Sequence, residues 1–260
     1  MQPLKKFSNA NLRFVFTDID DTLTSGGLLS EKAYLALWQI FKSGINVVPV
    51  TGRPAGWCEL IARQWPVAGV VGENGGFYFR YHNKKMIRHF FNSDKERATN
   101  RKKLDKVARE VLKKVPGSAV ASDQFSRLMD LAIDHCEDVT PLSDKKIKKI
   151  VSIFASHGAR SKVSSIHVNG WFGDYDKLSM VKTFCKREFS FDLSGALDTA
   201  AFVGDSPNDE PMFEYFKHSF GVANIGNFLD QMKHLPKFVS ASKGGDGFAE
   251  VAEQILRVRR

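Results

Sequence analysis

At 260 residues the chain can bury a full hydrophobic core, either as one large domain or as a core with an insertion. With 43% apolar and 26% charged residues it has the balance of an ordinary globular protein, which excludes a disordered or fibrous chain, and no apolar run reaches bilayer-spanning length. The net charge of +9 points weakly to an anionic partner, and three scattered cysteines without metal-ligand spacing suggest free thiols in a reducing compartment.

The first residues, up to Asn11, lack the apolar stretch and small-residue cleavage site of a signal peptide, so a cytoplasmic location is expected. Residues 12–17 read as a buried strand that stops in Asp18-Ile19-Asp20-Asp21-Thr22. In extended chain, positions i and i+2 point to one face, so Asp18 and Asp20 face the same way. Paired carboxylates repel and resist desolvation unless a cation lies between them, and hard oxygen ligands suit Mg²⁺. A simple turn is the alternative, but a turn needs one Asp and not three.

A helix is expected over 30–43, with Ser30 as N-cap and Gly44 just past the end. A strand follows over 45–50. Pro54 opens a second helix that stops before Pro66, and a third strand covers 67–71. The loop Gly72-Glu73-Asn74-Gly75-Gly76 leads into a hairpin, 77–81 and 86–91, around Asn83. Strand and helix in alternation imply a parallel sheet with helices on its faces.

The middle changes character. Residues 84–114 hold twelve Lys/Arg against four Asp/Glu, and Leu104, Val107, Val111 and Val115 recur at helical spacing. One helix face is therefore buried and the basic residues lie on the other. A solvated face is the plain reading, and a surface for an acidic substrate the sharper one. No aromatics interleave the charges, which argues against nucleic acid. A strand over 127–134, a second basic helix from Ser143 to Gly158 and a strand over 164–169 complete an α+β unit. The last third returns to the first pattern: a helix over 176–188, a strand over 200–203, a helix near Glu210, a strand near Phe220, a short helix after Gly226, a strand at 238–239 and a final helix from about Gly247. The expected fold is α/β, a doubly wound, Rossmann-like parallel sheet made of residues 1–90 and 170–260, with 91–169 inserted as an α+β cap.

Three polar clusters share one position, the carboxyl end of an expected strand: Asp18/Asp20, Thr51-Gly52-Arg53, and Gly204-Asp205-Ser206-Pro207-Asn208-Asp209. That edge of an open parallel sheet is where ligands bind. Together they offer carboxylates for a metal, a hydroxyl, and glycines that let N–H groups approach an anion.

At this point the sequence resembles the haloacid dehalogenase superfamily. Asp18-Ile19-Asp20-Asp21-Thr22 matches its first motif, DxDx[TV], and Gly204-Asp205-Ser206-Pro207-Asn208-Asp209 its fourth, GDxxND, with Thr51 and Lys177 at the second and third. Asn74-Gly75-Gly76 resembles a loop of the Cof-like, sugar-phosphatase-like branch, which carries its cap between the second and third motifs. The resemblance implies a Mg²⁺-dependent phosphomonoesterase acting on a small phosphorylated metabolite, a sugar phosphate being the leading expectation. Asp18 would be the nucleophile and Asp20 the general acid/base. The Ile19 N–H, Thr51, Gly52, Lys177 and Asn208 would bind the phosphate, and Asp18, Asp20, Asp205 and Asp209 would hold or support the metal. Asp21 departs from the glycine found in many relatives. Arg53 reads as a brace for its loop. On the insertion, Arg127, His167 and Asn169 are candidates for substrate contact, with Trp171 beside them as a surface for a sugar ring. The rivals are a phosphomutase and a basic binding protein without catalysis. Nothing in the sequence speaks to oligomeric state.

Overall fold

In the computed structural model, which describes residues 1–164 and 166–259, six strands form one all-parallel sheet. Their order across the sheet is Gln2–Pro3, Phe238–Val239, His218–Gly221, Ala200–Gly204, Phe14–Thr17 and Asn46–Pro49. The central strands are apolar along their length because both faces are covered. Phe14 and Phe16 pack on one side and Val15 on the other.

The side of Val15 is covered by α1 (Glu31–Lys42), α2 (Ala55–Gln64) and, from the far end of the chain, the final helix Gly244–Arg259. α1 begins where expected: the Ser30 hydroxyl accepts from the Ala33 N–H. After a three-stranded antiparallel sheet, Val70–Gly72, Phe77–His82 and Lys85–Phe90, the chain enters α3 (Asp94–Lys114), capped by a reciprocal Ser93–Glu96 pair. α3 and α4 (Asp144–Ser156) cover one face of a four-stranded antiparallel sheet ordered Arg160–Val163, His167–Trp171, Leu131–Asp134, Ala119–Val120. That face carries Leu131, Ile133 and Val168, which join the apolar sides of both helices. The opposite face carries Ala132, His167 and Asn169, by strand alternation and register. The chain returns through α5 (Lys177–Phe189) and α6 (Glu210–Tyr215), which bury the Phe14 side of the main sheet, and ends in α7, the helix Gly244–Arg259.

Three expectations need correction. The strand over 67–71 is shortened to Val70–Gly72; it borders the main sheet through the Val50–Val71 bridge and the Ala68 N–H on the Val47 carbonyl (2.8 Å), and it opens the antiparallel sheet. The strand over 127–134 starts at Leu131, because the N–H groups of 128–130 are drawn to the Glu73 carboxylate and leave no ladder to form. The strand over 164–169 begins instead at His167 and runs to Trp171, with Ser165 outside the described residues. Among the described residues no helix is long and apolar enough to cross a membrane.

Candidate active site

Parallel pairing brings the three polar clusters together. Phe14–Thr17 lies between Ala200–Gly204 and Asn46–Pro49, and Thr17 sits level with Val203 on one side and Pro49 on the other. The Asp18 N–H donates to the Val203 carbonyl (2.9 Å), which places Asp18 beside the turn bearing Asp205. The chain leaves this strand towards one edge and refills the sheet on the other side later. A crevice at such a reversal of strand order is the expected ligand position in an open α/β sheet.

Lys177 is the first residue of α5 and is buried. Its ammonium donates to Asp18 Oδ1 (2.8 Å), Asp209 Oδ1 (2.9 Å) and Asn208 Oδ1 (3.2 Å), three acceptors for three hydrogens. Two glycines make this approach possible. A Cβ on Gly75, at φ +101°, would fall 2.0 Å from the Asp176 carbonyl at the start of α5. One on Gly204 would fall 2.5 Å from Asp209 Oδ2, the oxygen that accepts the Asp205 N–H (3.1 Å). Both oxygens of Asp209 are thus engaged by protein donors, so it braces Lys177 and the Asp205 turn.

Asp205 accepts from the Thr22 hydroxyl (3.3 Å) and from Asn224 Nδ2 (3.2 Å). Asn224 also donates to the Asp21 carbonyl (2.7 Å), tying the first cluster to the fourth. Asp21 has φ +56°, the left-handed conformation that explains a glycine there in relatives and that Asp tolerates better than most residues. Carboxylate oxygens of Asp18, Asp205 and Asp209 lie within 4.8 Å of one another, all buried, with Lys177 as their one bonded cation among the described residues. Positive charge is short. Burial lifts the Asp205 carboxyl to about 9, reinforced by Asp209 and Asp18. Burial likewise lifts Asp18 to about 7 against the pull of Lys177. Lys177 itself is raised, its burial outweighed by Asp18 and Asp209. An all-oxygen donor set with this charge deficit fits a hard divalent cation such as Mg²⁺.

The second cluster is set by backbone bonds. The Thr51 N–H donates to Val71 O (2.9 Å) and the Arg53 N–H to Thr51 Oγ1 (3.0 Å). Because its oxygen already accepts, the Thr51 hydroxyl is turned to give its own hydrogen elsewhere. The Arg53 guanidinium forks onto Asp20, with Nε 3.0 and 3.1 Å from the two carboxylate oxygens and Nη2 2.8 Å from Oδ1.

The clusters open into a cleft of about 620 Å³ between the main sheet and the face of the cap sheet that bears His167 and Asn169. Asp18, Asp20, Gly52, Asn208 and Asp205 line it, as do Lys162 and the turn Ser25–Gly26. Of the four cap candidates, His167 and Asn169 face the cleft, with Asn169 Nδ2 donating to Asp130 (2.9 Å). Arg127 borders it, but its side chain is 1% exposed and gives four of its five N–H groups to Asp123, Asp130 and the Gly52 carbonyl (3.0 Å). Trp171 does not line this cleft: it is 3% exposed and stacked on Tyr175 at 5.5 Å, which leaves no open face for a sugar ring, and it borders only a small neighbouring pocket with Lys177 and Asn208.

Sequence reasoning missed Glu73. Its carboxylate is fully buried and accepts from the N–H groups of Ala55 (2.9 Å), Leu128 (3.0 Å), Met129 (2.6 Å) and Asp130 (3.1 Å). It also missed Asn224. The only local signal for Glu73 was an acidic residue between glycines directly after an apolar strand.

A model of haloacid dehalogenase-like hydrolases matches residues 15–99. Two curated proteins named phosphoglycolate phosphatase, from Pyrobaculum neutrophilum and Pyrobaculum aerophilum, are 27% and 28% identical over 249 residues. Each alignment covers 94% of this chain and 96% of the relative. A solved structure from Thermoplasma acidophilum superposes with a TM-score of 0.74 at 21% identity, over 94% of this chain and 98% of that one.

Proposed function

We propose that the chain, which is similar over residues 15–99 to the haloacid dehalogenase-like hydrolases, is a Mg²⁺-dependent phosphomonoesterase that works through an aspartyl-phosphate. The observation that carries this reading is the Asp18–Lys177–Asp209 arrangement beside Asp205, a buried carboxylate held by one ammonium and short of one cation. Asp18, Asp205 and the Asp20 carbonyl would hold Mg²⁺, with Asp209 behind them. When bound, the ion neutralises phosphate charge and fixes the ester in line with the nucleophile.

The remaining steps belong to the protein. Asp18 attacks phosphorus, forming the Asp–phosphate bond as the ester oxygen leaves, which splits one difficult step into two. Asp20 gives that oxygen its proton and then takes one from the attacking water. Lys177, the Thr51 hydroxyl and the N–H groups of Ile19 and Gly52 donate to the equatorial oxygens as charge gathers there. Asn208, which holds Lys177 from the cleft side, contacts the same phosphate. Residues 91–169 supply the wall that selects the leaving group, chiefly through His167, Asn169 and Lys162. The relatives' names make a short phosphorylated acid the first substrate to try, ahead of a sugar phosphate.

The test is phosphate release from phosphoglycolate, other phospho-acids, sugar phosphates and nucleotides, with Mg²⁺ and with EDTA. Release should require Mg²⁺ and fall roughly 10³-fold or more in Asp18→Asn, the scale of losing a nucleophile. Free phosphate excludes a mutase, whereas an isomeric phosphate ester in its place would establish one.

A further inference from the structure

We propose that the guanidinium edge of Arg53 is a carboxylate subsite of the cleft, occupied in the unliganded chain by Asp20 and claimed by the substrate's own carboxylate on binding. The inference rests on the phosphatase reading above and names what the leaving group must carry.

Four observations support it. First, the geometry is that of a ligand site. Nε and Nη2 of Arg53 present a two-pronged edge, and the two Asp20 oxygens sit on it at 2.8 to 3.1 Å. That match of planar fork to planar carboxylate is the strong, shape-specific form of the ion pair. Second, the edge is pre-set. The guanidinium lies 4.4 Å from the Trp57 ring centroid, its backbone N–H is fixed to Thr51 Oγ1, and Nη1 has Glu137 of the cap 3.7 Å away. Its side chain is 11% exposed, so water competes poorly.

Third, Asp20 is the wrong permanent occupant. Proton transfer to the ester oxygen requires its carboxyl group to be turned towards the phosphate, and here both its oxygens face Arg53. A substrate carboxylate on the fork frees Asp20 to turn. Asp20 is 33% exposed and has room to do so. Fourth, the spacing limits size. The Asp20 carboxylate, which the reaction needs at the ester oxygen, already reaches the fork, so the fork lies within one short side chain of the reacting phosphate. An acid group reaching the fork from that phosphate can be separated from it by only a short carbon chain. The class implied is a two- or three-carbon phospho-acid. A sugar phosphate has no group to exchange with Asp20.

The experiment compares phosphoglycolate with ethyl phosphate, which has the same phosphoester and chain length but no carboxylate. Kinetics are measured in the intact enzyme with Mg²⁺, for wild type, Arg53→Lys and Arg53→Met. Wild type should prefer phosphoglycolate in kcat/KM by roughly 30-fold or more, the scale of one desolvated hydrogen-bonded charge pair. Arg53→Met should bring that ratio close to one, with the loss for phosphoglycolate showing in both KM and kcat. Arg53→Lys, a point charge without the fork, should fall between them, and it keeps the test open if the methionine variant does not fold. An unchanged ratio in both variants, with both substrates slowed equally, would make Arg53 a loop brace and remove the subsite alone. Wild type that releases phosphate from a sugar phosphate or nucleotide but not from phosphoglycolate would remove the subsite and leave the phosphatase reading, whereas release from no ester of the panel would remove both.

Discussion

Asp205 and Asp18 carry the clearest physical signature of the site. Burial among like charges raises both carboxyls, to about 9 and about 7, far above the ordinary value of 3.8 that they regain on unfolding. In the absence of a cation the folded chain therefore holds these protons more tightly than the unfolded chain does. The contribution of the pair to stability is most favourable at low pH and is lost as pH rises from about 4 through about 7 and then about 9. Mg²⁺ bound as proposed above would replace the missing protons and reverse the loss. Thermal melts in EDTA and in Mg²⁺ should nearly coincide at pH 5 and separate progressively towards pH 9, with Mg²⁺ giving the higher midpoint. A gain from Mg²⁺ that does not grow with pH would mean that these carboxylates do not take the ion.

Secondary-structure elements divide into those the sequence announces and those that depend on distant partners. Phe14–Thr17, Ala200–Gly204 and the cap at Ser30 were legible because period, capping and turn residues all lie within a few positions. Thr51 and Lys177 are single residues without local pattern, and they were found through the order of the motifs. Residues 127–130 were not legible. Arg127-Leu128-Met129-Asp130 has strand-like content, yet the Glu73 carboxylate, more than fifty positions earlier, captures the N–H groups of its last three residues. Trp171 was misread because an aromatic beside a site has the same local sequence whether it faces the cleft or the core.

The Glu73 junction also makes an element-scale prediction. One oxygen-rich group joins the start of α2 to the loop before Leu131–Asp134, and Arg127 returns the tie by donating to the Gly52 carbonyl. Glu73→Gln substitutes an amide donor for one acceptor oxygen and faces it with N–H groups. It should cost about 3 kcal/mol, read as a lower urea midpoint, because buried donors lose a charged acceptor. The same variant should raise KM for substrate, since Gly52 and the cap wall are held through this junction. A loss below about 0.5 kcal/mol, the range of ordinary surface changes, would show that water replaces the carboxylate there.

Across the whole molecule the charge is not spread evenly. α3 and α4 hold thirteen Lys/Arg against five Asp/Glu, a surplus of eight out of nine for the whole chain. At 100° per residue Lys95, Lys102, Lys106, Arg109 and Lys113 fall in one row, opposite Leu104, Val107 and Val111 on the buried side. That row runs for roughly 27 Å at the helical rise. None of the five reaches a carboxylate within ion-pair distance among the described residues. The face lies behind the cap sheet, away from the cleft, so it repels itself without serving the reaction described here. Like charges one turn apart destabilise a helix by a few tenths of a kcal/mol each at low salt. Stability should therefore rise between 0.05 and 0.5 M NaCl, as screening shortens to a few ångströms, opposite to a protein held by surface ion pairs. Lys102→Glu replaces one repulsion with a Glu-to-Lys106 pair in the favourable orientation. It should stabilise the chain by about 0.5 kcal/mol at low salt and by almost nothing at high salt. Melts of both proteins across that salt range decide the matter, and a wild-type midpoint that falls with salt would locate the dominant surface electrostatics in attractive pairs elsewhere.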